Sequence, residues 1–324
     1  MRILRRAAAV LGVSAMVAVG AVAVPQESLP TLAPAAAITC QSGGDAWASP
    51  TYTRTFTGRT DGDHYLGSYV PQSVTTWNDW NGGTQDVLLV AMYHEDEGSN
   101  NSLVYAMTPG GRVIGGFKIK ATHAGGIAVH GRYVYVTDAN NTNVRRYTKS
   151  SVRSAVNQHR TSAARMPYVS YYGTLQSLGY AASFMYVHND KLYAGKFNKS
   201  SRDWMYRYDF GTEGRLSRDS SWARRQVPLK TQGLVVTSNR YFFSTSYGRG
   251  VRSNVYVTTK DYTTNFETQA RSRCFQAPPM AEGMAVHNGK VHLLFESGAD
   301  KYAGGKWPTK KVHVAPVSGL RGLV

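Results

Sequence analysis

The sequence predicts an all-β protein, a single five-bladed β-propeller whose ring is closed by an N-terminal strand. Strand–turn–strand segments recur five times along the chain, with turns rich in Asn, Asp and Gly, and a Tyr- and Val-rich third strand usually follows each segment. The 324 residues include 32 Gly and 21 Tyr, a composition typical of strands and tight turns. All-β proteins of this length often form one domain. The alternative is a β-sandwich or a two-domain all-β protein.

Residues 1–37 are interpreted as a signal peptide that precedes a propeller domain spanning 38–324. Three Arg residues lie among the first six, residues 7–24 carry no charge, and Ala35–Ala37 supplies small side chains for cleavage. An uncleaved anchor is the alternative, because the uncharged run approaches the length of a bilayer crossing. The run is Ala- and Gly-rich and therefore weakly hydrophobic, which favours cleavage. We expect a secreted, extracellular protein with no transmembrane segment after cleavage, and Sec and twin-arginine export both stay open.

The chain is strongly basic, with a formal net charge of +17. Residues 1–37 contain three Arg and one Glu, so their removal leaves +15. Such a surplus favours anionic partners, and outside a cell these are anionic polysaccharides or wall polymers. No nucleic acid is expected, because the basic residues are scattered and no recognition-helix or RNP-like pattern is present. A merely solubilising charge is the alternative. We expect a monomer.

The repeats have a regular spacing. Their aligned positions, which are 53, 57, 50 and 50 residues apart, are Gln72, Gly125, Ala182, Gln232 and Glu282. The predicted first and second strands cover residues 72–76 and 86–92, 125–129 and 133–138, 182–187 and 192–195, 232–236 and 241–245, and the two halves of 279–297. Third strands begin near residues 103, 144, 205, 254 and 311. Short strands with a period near 50 fit one propeller blade per repeat.

The fifth unit has no room for an outer strand, because only ten residues follow Val314. The alternating segment 51–57 is predicted to supply it, which removes an exposed sheet edge. This closure also brings together the two cysteines, Cys40 and Cys274, at the outer edges of the fourth and fifth blades. A disulfide is therefore predicted, as expected for an exported protein with an even cysteine count; two free thiols are the alternative.

One insertion, residues 149–173, lengthens the second repeat. It contains a possible short helix at 151–156. The insertion is interpreted either as a cap over one face of the ring or as an ordinary solvated loop.

Several of these segments also resemble a known group of proteins. Residues 280–283 with 295–299, Gln232-Gly233 with 244–249, and 123–129 are the clearest segments. Over residues 68–318 the chain resembles exported, propeller-like proteins of Gram-positive bacteria that have no assigned activity. The resemblance implies a propeller and export, and it transfers no functional residue. At the level of fold, the unit is also similar to lactonase-like and glycan-binding propellers.

The candidate ligand-binding residues form a column where each blade's first strand begins, at the mouth of the central channel. Core packing does not call for these polar side chains, which are Gln72, His123, Ser183, Gln232 and Glu282. The alternative is that they only bond neighbouring blades or channel water, as buried polar groups must.

The candidate catalytic residues are Glu282, Glu296 and Asp138, because carboxylates that project towards a channel serve as acid and base in propeller glycosidases. A divalent cation held by Asp138, Glu282 or His123 is a further possibility, although no compact metal-ligand motif is present. The acidic run 94–97 with Asn100 and Asn101 suggests calcium or a solvated hairpin loop.

The preferred hypothesis is therefore a secreted propeller that binds a glycan or an anionic wall polymer at the channel mouth. The alternatives are an extracellular hydrolase or lyase acting on a sugar or lactone, and a scaffold for protein partners. The sequence leaves open whether the protein is an enzyme.

Overall fold

The computed structural model describes residues 38–80, 82–97 and 100–324. The predicted signal peptide, 1–37, lies outside the described residues. The elements in chain order are β1 (Cys40–Gln41), α1 (Pro50–Thr55), β2 (Gly58–Asp61), β3 (Tyr69–Trp77), β4 (Val87–His94), β5 (Ser102–Met107), β6 (Val113–Ile119), β7 (Ile127–His130), β8 (Tyr133–Thr137), β9 (Asn143–Thr148), α2 (Lys149–Val156), β10 (Gln176–Ser177), β11 (Phe184–His188), β12 (Lys191–Gly195), β13 (Trp204–Phe210), β14 (Leu216–Arg218), β15 (Arg225–Gln226), β16 (Thr231–Val236), β17 (Arg240–Thr245), β18 (Arg252–Thr259), α3 (Phe266–Gln269), β19 (Ser272–Pro279), β20 (Ala281–His287), β21 (Lys290–Phe295), β22 (Lys311–Pro316) and α4 (Val317–Arg321).

Five antiparallel blades confirm the predicted propeller. Blade 1 has the order β3-β4-β5-β6, blade 2 β7-β8-β9-β10, blade 3 β11-β12-β13-β14, blade 4 β16-β17-β18-β19 and blade 5 β20-β21-β22-β2. The inner strands β3, β7, β11, β16 and β20 each contact the next, and β20 contacts β3. The ring is therefore closed.

Each interface between neighbouring blades holds one apolar cluster. The cause is the period-two alternation of a strand, which sends successive side chains to opposite faces. Phe242 packs in the cluster between blades 4 and 5, whereas Phe243 packs in the cluster between blades 3 and 4. Fully burying one such side chain contributes roughly 1.5–3 kcal/mol. The core is thus divided into five radial layers around the channel.

The inner strands pack so closely that glycine and hydroxyl groups are required between them. A Cβ on Gly233 would lie 2.5 Å from the carbonyl oxygen of Glu282 in the next blade. The Ser244 hydroxyl donates to that carbonyl at 2.5 Å, and the Ser73 hydroxyl donates to the Ala124 carbonyl at 2.6 Å. The channel is therefore narrow, and side chains at its mouth are brought into contact.

The strand that closes the ring is not the predicted one. Segment 51–57 was expected to be the outer strand of blade 5, but Pro50–Thr55 forms α1, and β2, Gly58–Asp61, pairs with β22 instead. Ser49 is the N-cap and accepts a hydrogen bond from the Tyr52 N–H, while Pro50 occupies the first turn. Both residue types favour a helix start. Closure by an N-terminal strand is confirmed, with the strand shifted along the chain.

The predicted disulfide is confirmed. Cys40 and Cys274 are bonded, and they face each other where β1 runs parallel to β19. Next to this bond, the Gly43 N–H donates to the Gln276 side chain at 2.8 Å. The segment before α1 is therefore fastened to the outer edge of blade 4.

The insertion in blade 2 contains α2, and its Val152 and Val156 belong to the cluster between blades 1 and 2. Within the stretches that the structure describes, none of the helices combines the length and apolarity that a membrane crossing requires.

Candidate functional site

A β-bulge positions the polar residue at the start of three inner strands. The pairing register shifts between Pro71 and Ser73, between Thr231 and Gly233, and between Ala281 and Met284. A bulge leaves a residue unpaired and changes the direction of its side chain. Gln72, Gln232 and Glu282 occupy these bulges.

The column residues of blades 1, 4 and 5 form one hydrogen-bonded network around two carboxyl groups. Gln72 Nε2 donates to Glu296 Oε2 at 2.8 Å, and Gln232 Nε2 donates to Glu282 Oε1 at 3.1 Å. The Ser246 hydroxyl also donates to Glu282 Oε1 at 3.1 Å. The two glutamates are hydrogen-bonded to each other, so that the pair joins three blades.

Both glutamates hold protons unusually tightly. Burial raises the pKa of Glu282 well above its ordinary value, and the neighbouring Glu296 carboxylate raises it further. Burial also raises the pKa of Glu296, to about 7, against the opposing hydrogen bonds from Gln72 and Glu282. Because protonated Glu282 donates to Glu296, the pair shares one proton near neutral pH. A carboxyl pair of this kind is able to exchange a proton under mild conditions.

The other two column residues lie apart from this network. The Ser183 hydroxyl accepts a hydrogen bond from the Phe197 N–H at 3.0 Å, which joins the start of β11 to the segment that follows β12. The His123 ring stacks on Tyr93 with centroids 4.6 Å apart, and 40% of its side chain is exposed. Burial, the largest effect, lowers the pKa of His123.

Asp138 is paired with a buried arginine. Its carboxylate forms an ion pair with Arg145, which is 2% exposed and also donates to the carbonyls of Lys120 and Ala121. In the described part of the chain, no hydrogen bond joins Asp138 to either glutamate. Asp138 therefore neutralises Arg145, and Arg145 in turn holds residues 120–121.

A pocket of about 480 Å³ opens between blades 1 and 2 at the same end of the ring, and we call it the mouth pocket. Its lining combines aromatic rings, hydroxyl and amide groups and charged side chains: Tyr93, His94, Glu97, Asn100, Ser102, Lys120, Ala121, Thr122, His123, Asp138, Ala139, Arg145, Tyr171 and Leu175. The volume lies within the range of small-ligand sites. The insertion of blade 2 therefore contributes Tyr171 to one wall of the mouth pocket.

Two tyrosines connect the mouth pocket to the glutamates. The hydroxyls of Tyr93 and Tyr302 are 2.8 Å apart, and Tyr302 is hydrogen-bonded to Glu296. The Lys301 ammonium lies 4.6 Å from the Tyr93 ring centre and 2.7 Å from Glu97. A ligand against the exposed part of His123 would thus be one ring away from Tyr93 and Tyr302, whose hydrogen bonds lead to the shared proton.

The sequence reasoning missed Lys120, Tyr171 and Tyr302. Lys120 follows the outer strand of blade 1, and Tyr171 lies in the insertion, so neither belongs to the repeated column. Tyr302 follows β21 within a 3₁₀ turn, Asp300–Tyr302. The length of the insertion was the one available signal.

Across residues 38–80, 82–97 and 100–324, no three His, Cys, Asp or Glu side chains lie together as a metal site would need. The described residues therefore provide no set of ligands for the divalent cation that the sequence analysis placed at Asp138, Glu282 or His123.

Comparison with known proteins gives similarity of fold only. No family model matches the chain, and no curated protein matches it. Glutaminyl cyclase of Myxococcus xanthus aligns at 9% identity with a TM-score of 0.47, covering 79% of this chain and 93% of that one. A GH43_1 enzyme of Xanthomonas citri aligns at 13% identity with a TM-score of 0.42, covering 82% and 92% respectively. A quinoprotein alcohol dehydrogenase-like protein of Bacteroides thetaiotaomicron aligns at 12% identity with a TM-score of 0.35, covering 72% and 53%.

Proposed function

We propose that this protein is an extracellular binding protein that takes an acidic glycan into the mouth pocket. The observation that carries the proposal is the combination, in one pocket, of aromatic rings with a lysine that has no carboxylate partner among the described residues. Each feature has a separate physical consequence.

The aromatic faces suit a sugar ring. The rings that line the mouth pocket and are accessible are the partly exposed His123, which stacks on the buried ring of Tyr93, and the half-buried Tyr171. Rings of this kind offer apolar contact together with a polar edge, and a few placed polar groups then fix the orientation of the ligand.

The charges in the mouth pocket favour an anionic sugar. Its two carboxylates are occupied, Asp138 by Arg145 and Glu97 by Lys301. Among the described residues, no carboxylate lies within ion-pair distance of the Lys120 ammonium. An incoming carboxylate or sulfate group would therefore find a cation without displacing an existing pair.

The extracellular location is supported by the Cys40–Cys274 bond, because disulfides persist mainly in oxidising compartments. The basic start and uncharged run within residues 1–37 are consistent with export.

Calorimetric titration with an oligogalacturonate, and with the neutral galactose oligomer of equal length, tests the proposal. Lys120→Gln is expected to weaken binding of the acidic oligomer by about tenfold or more and to leave the neutral one unchanged. The matched control is Lys199→Gln, an exposed lysine at the same end of the ring but outside the mouth pocket; it is expected to retain binding.

A second pair of variants distinguishes binding in the mouth pocket from non-specific binding to the protein surface. Tyr171→Ala is expected to reduce affinity, whereas Tyr247→Ala, which removes a half-exposed aromatic side chain outside the pocket, is not. Equal losses in Lys120→Gln and Lys199→Gln would argue against the pocket and for diffuse attraction by the basic surface, which salt screens.

Hydrolysis of the bound glycan is the second candidate function, and the shared proton of Glu282 and Glu296 favours it. The two carboxyls are in hydrogen-bond contact, closer than the ~5–5.5 Å of retaining glycosidases or the ~6.5–9.5 Å of inverting ones. A role as one acid–base unit fits this separation better than an acid and a nucleophile on opposite sides of a bond.

Product analysis by mass spectrometry, after incubation with the oligomer that binds, tests hydrolysis. Glu282→Gln keeps a hydrogen-bond donor towards Glu296 but has no acidic proton, so retained binding with lost turnover would indicate catalysis. Binding without any product from the wild-type protein would remove this second candidate and leave the first intact.

A further inference from the structure

A second pocket lies at the opposite end of blade 5 from the glutamates, where β20 ends in His287. Its volume is about 390 Å³, and we call it the basal pocket. It lies between blade 5 and the turn that joins β5 to β6, and it is lined by Gly58, Arg59, Thr60, Pro109, Gly110, His287, Asn288, Lys290, His292 and Val314.

His292, in the wall of the basal pocket, is the unusual group. Its side chain is 3% exposed, and neither ring nitrogen has a hydrogen-bond partner among the described residues. Leaving a buried donor or acceptor unpaired costs roughly 1–3 kcal/mol, and folded proteins seldom leave both atoms of one ring in that state. A molecule from outside the chain would supply the missing partner.

The basal pocket, with its volume of about 390 Å³, is the room available to such a molecule. Across the sheet, His292 lies opposite Val314, and Val314 lies opposite Gly58. Gly58 packs directly against Val314, because a Cβ on Gly58 would lie 2.9 Å from the Val314 Cβ, so this row forms a closed wall of the pocket. On the other side of His292 lies Ala285, which is small.

The charge around His292 is positive. Lys290 is exposed and, in the described stretches, has no carboxylate within ion-pair distance. His287 Nε2 is 2.9 Å from Asp86, so the Asp86 carboxylate already has a partner. The Arg59 guanidinium donates to the carbonyls of Phe56 and Gly58. Burial, together with repulsion from His287 and Lys290, lowers the pKa of His292 to about 4. The imidazole is therefore neutral at pH 7 until an anion approaches.

We propose that the basal pocket binds a phosphate group, either as inorganic phosphate or as a phosphate monoester. Lys290 attracts the anion, and the imidazole of His292 forms a hydrogen bond with one of its oxygens. Phosphate fits better than a carboxylate because near neutral pH it carries both acceptor oxygens and a hydroxyl. It can therefore pair with whichever ring nitrogen faces it, N–H or lone pair. The volume exceeds that of the free ion, which leaves space for an ester substituent.

Nuclear magnetic resonance of the ¹⁵N-labelled protein, titrated with inorganic phosphate, tests the site. The imidazole signals of His292 are expected to shift to saturation, and its pKa is expected to rise because a bound anion favours the protonated ring. Lys290→Ala should weaken binding by about tenfold, and His292→Leu should abolish it. Lys310→Ala, an exposed lysine of the same blade outside the basal pocket, is the matched control and should bind as the wild type does.

Three results would overturn the proposal. One is a linear, unsaturated shift of the His292 signals that Lys310→Ala reduces as much as Lys290→Ala does. Another is acetate binding as tightly as phosphate, which would assign the pocket to carboxylates. The third is saturable binding of Zn²⁺ to His292 without binding of phosphate, which would make it a metal site. If His292→Leu fails to fold, Lys290→Ala and the wild-type titration still decide.

Discussion

At the residue scale, the contact between Glu282 and Glu296 sets the properties of the channel mouth. Two carboxyl groups in hydrogen-bond contact cannot both ionise without strong repulsion, and burial removes the water that would reduce it. Gln72, Gln232 and Ser246 each donate to this pair, so its geometry is fixed from three sides.

The pair predicts a pH-dependent term in stability. The pKa of Glu296 is about 7 in the fold against about 4.3 in an unfolded chain, so the folded state binds this proton more tightly. The contribution is fully present below about pH 4.3 and is lost as pH rises through about 7, by on the order of 4 kcal/mol at most. The measurement is urea unfolding of the wild type and of Glu296→Gln between pH 5 and 8. The unfolding free energy of the wild type minus that of the variant should decline over this range.

Glu282→Gln is the matched control for that prediction. Glu296 remains buried and titratable in this variant, so the decline should persist. If the difference in unfolding free energy between the wild type and Glu296→Gln does not change with pH, Glu296 titrates normally in the fold.

A substitution at Gly233 tests how closely blades 4 and 5 pack. In Gly233→Ala the new Cβ would lie 2.5 Å from both the Glu282 carbonyl and the Ser244 hydroxyl, and such overpacking costs roughly 1–3 kcal/mol or more. Gly250→Ala is the control, because nothing lies within 4 Å of its Cβ and its backbone is not strained. Chemical denaturation of both variants measures the difference, and equal stability would contradict the close packing.

At the element scale, the segment from β1 to β2 fastens blade 4 to blade 5. β1 is disulfide-bonded to blade 4, α1 packs its Tyr52 and Phe56 into the cluster between the two blades, and β2 completes blade 5. The Tyr52 hydroxyl lies 2.7 Å from His313 Nδ1 on β22. Side-chain contacts therefore stabilise the closed ring together with the single strand β2.

The disulfide within this segment should make a measurable contribution. Replacing Cys40 and Cys274 by Ser together is expected to lower the unfolding free energy by about 2–5 kcal/mol, because the bond closes a loop with a sequence separation of 234. Urea midpoints with and without a reductant measure it, and the reductant should affect only the wild type. Identical midpoints for the oxidised wild type and the double variant would show that β1 and α1 hold the closure without the bond.

At the scale of the whole molecule, five interfaces share the burial of the core, and two of them enclose histidines. His292 faces blade 1, and His313 lies among Trp47, Tyr52 and Phe295. Burial lowers the pKa of His292 to about 4 and that of His313 to about 3. Protonation therefore opposes folding at two places in the ring.

Acidification should destabilise the propeller through these histidines. Because each folded-state pKa lies below the unfolded value of about 6.5, the stability they confer is present above about pH 6.5 and falls by roughly 1.4 kcal/mol per pH unit for each histidine below it. Urea unfolding from pH 7 down to 4 should show a shallower decline in His313→Asn than in the wild type. An unchanged slope would mean that His313 is protonated in the folded state.

The sequence by itself determined the ring. The period near 50 and the alternation of residues such as Phe242 and Phe243 are local patterns, and local patterns set the strands, the number of blades and hence a closed ring. The cysteine pairing followed from that closure. The prediction of a strand at 51–57 used only the alternation and did not consider the helix start at Ser49-Pro50 that the structure shows.

Only the tertiary structure decided which polar groups meet. Glu282 and Glu296 touch because a bulge turns one side chain at the end of a hairpin, and a shift of one residue reverses the face to which a side chain points. Asp138 is paired with Arg145 rather than with either glutamate, and the insertion places Tyr171 against blade 1. The physical reason is that periodicity depends on neighbours along the chain, whereas burial, shared protons and ion pairs depend on distances between blades that no single repeat contains.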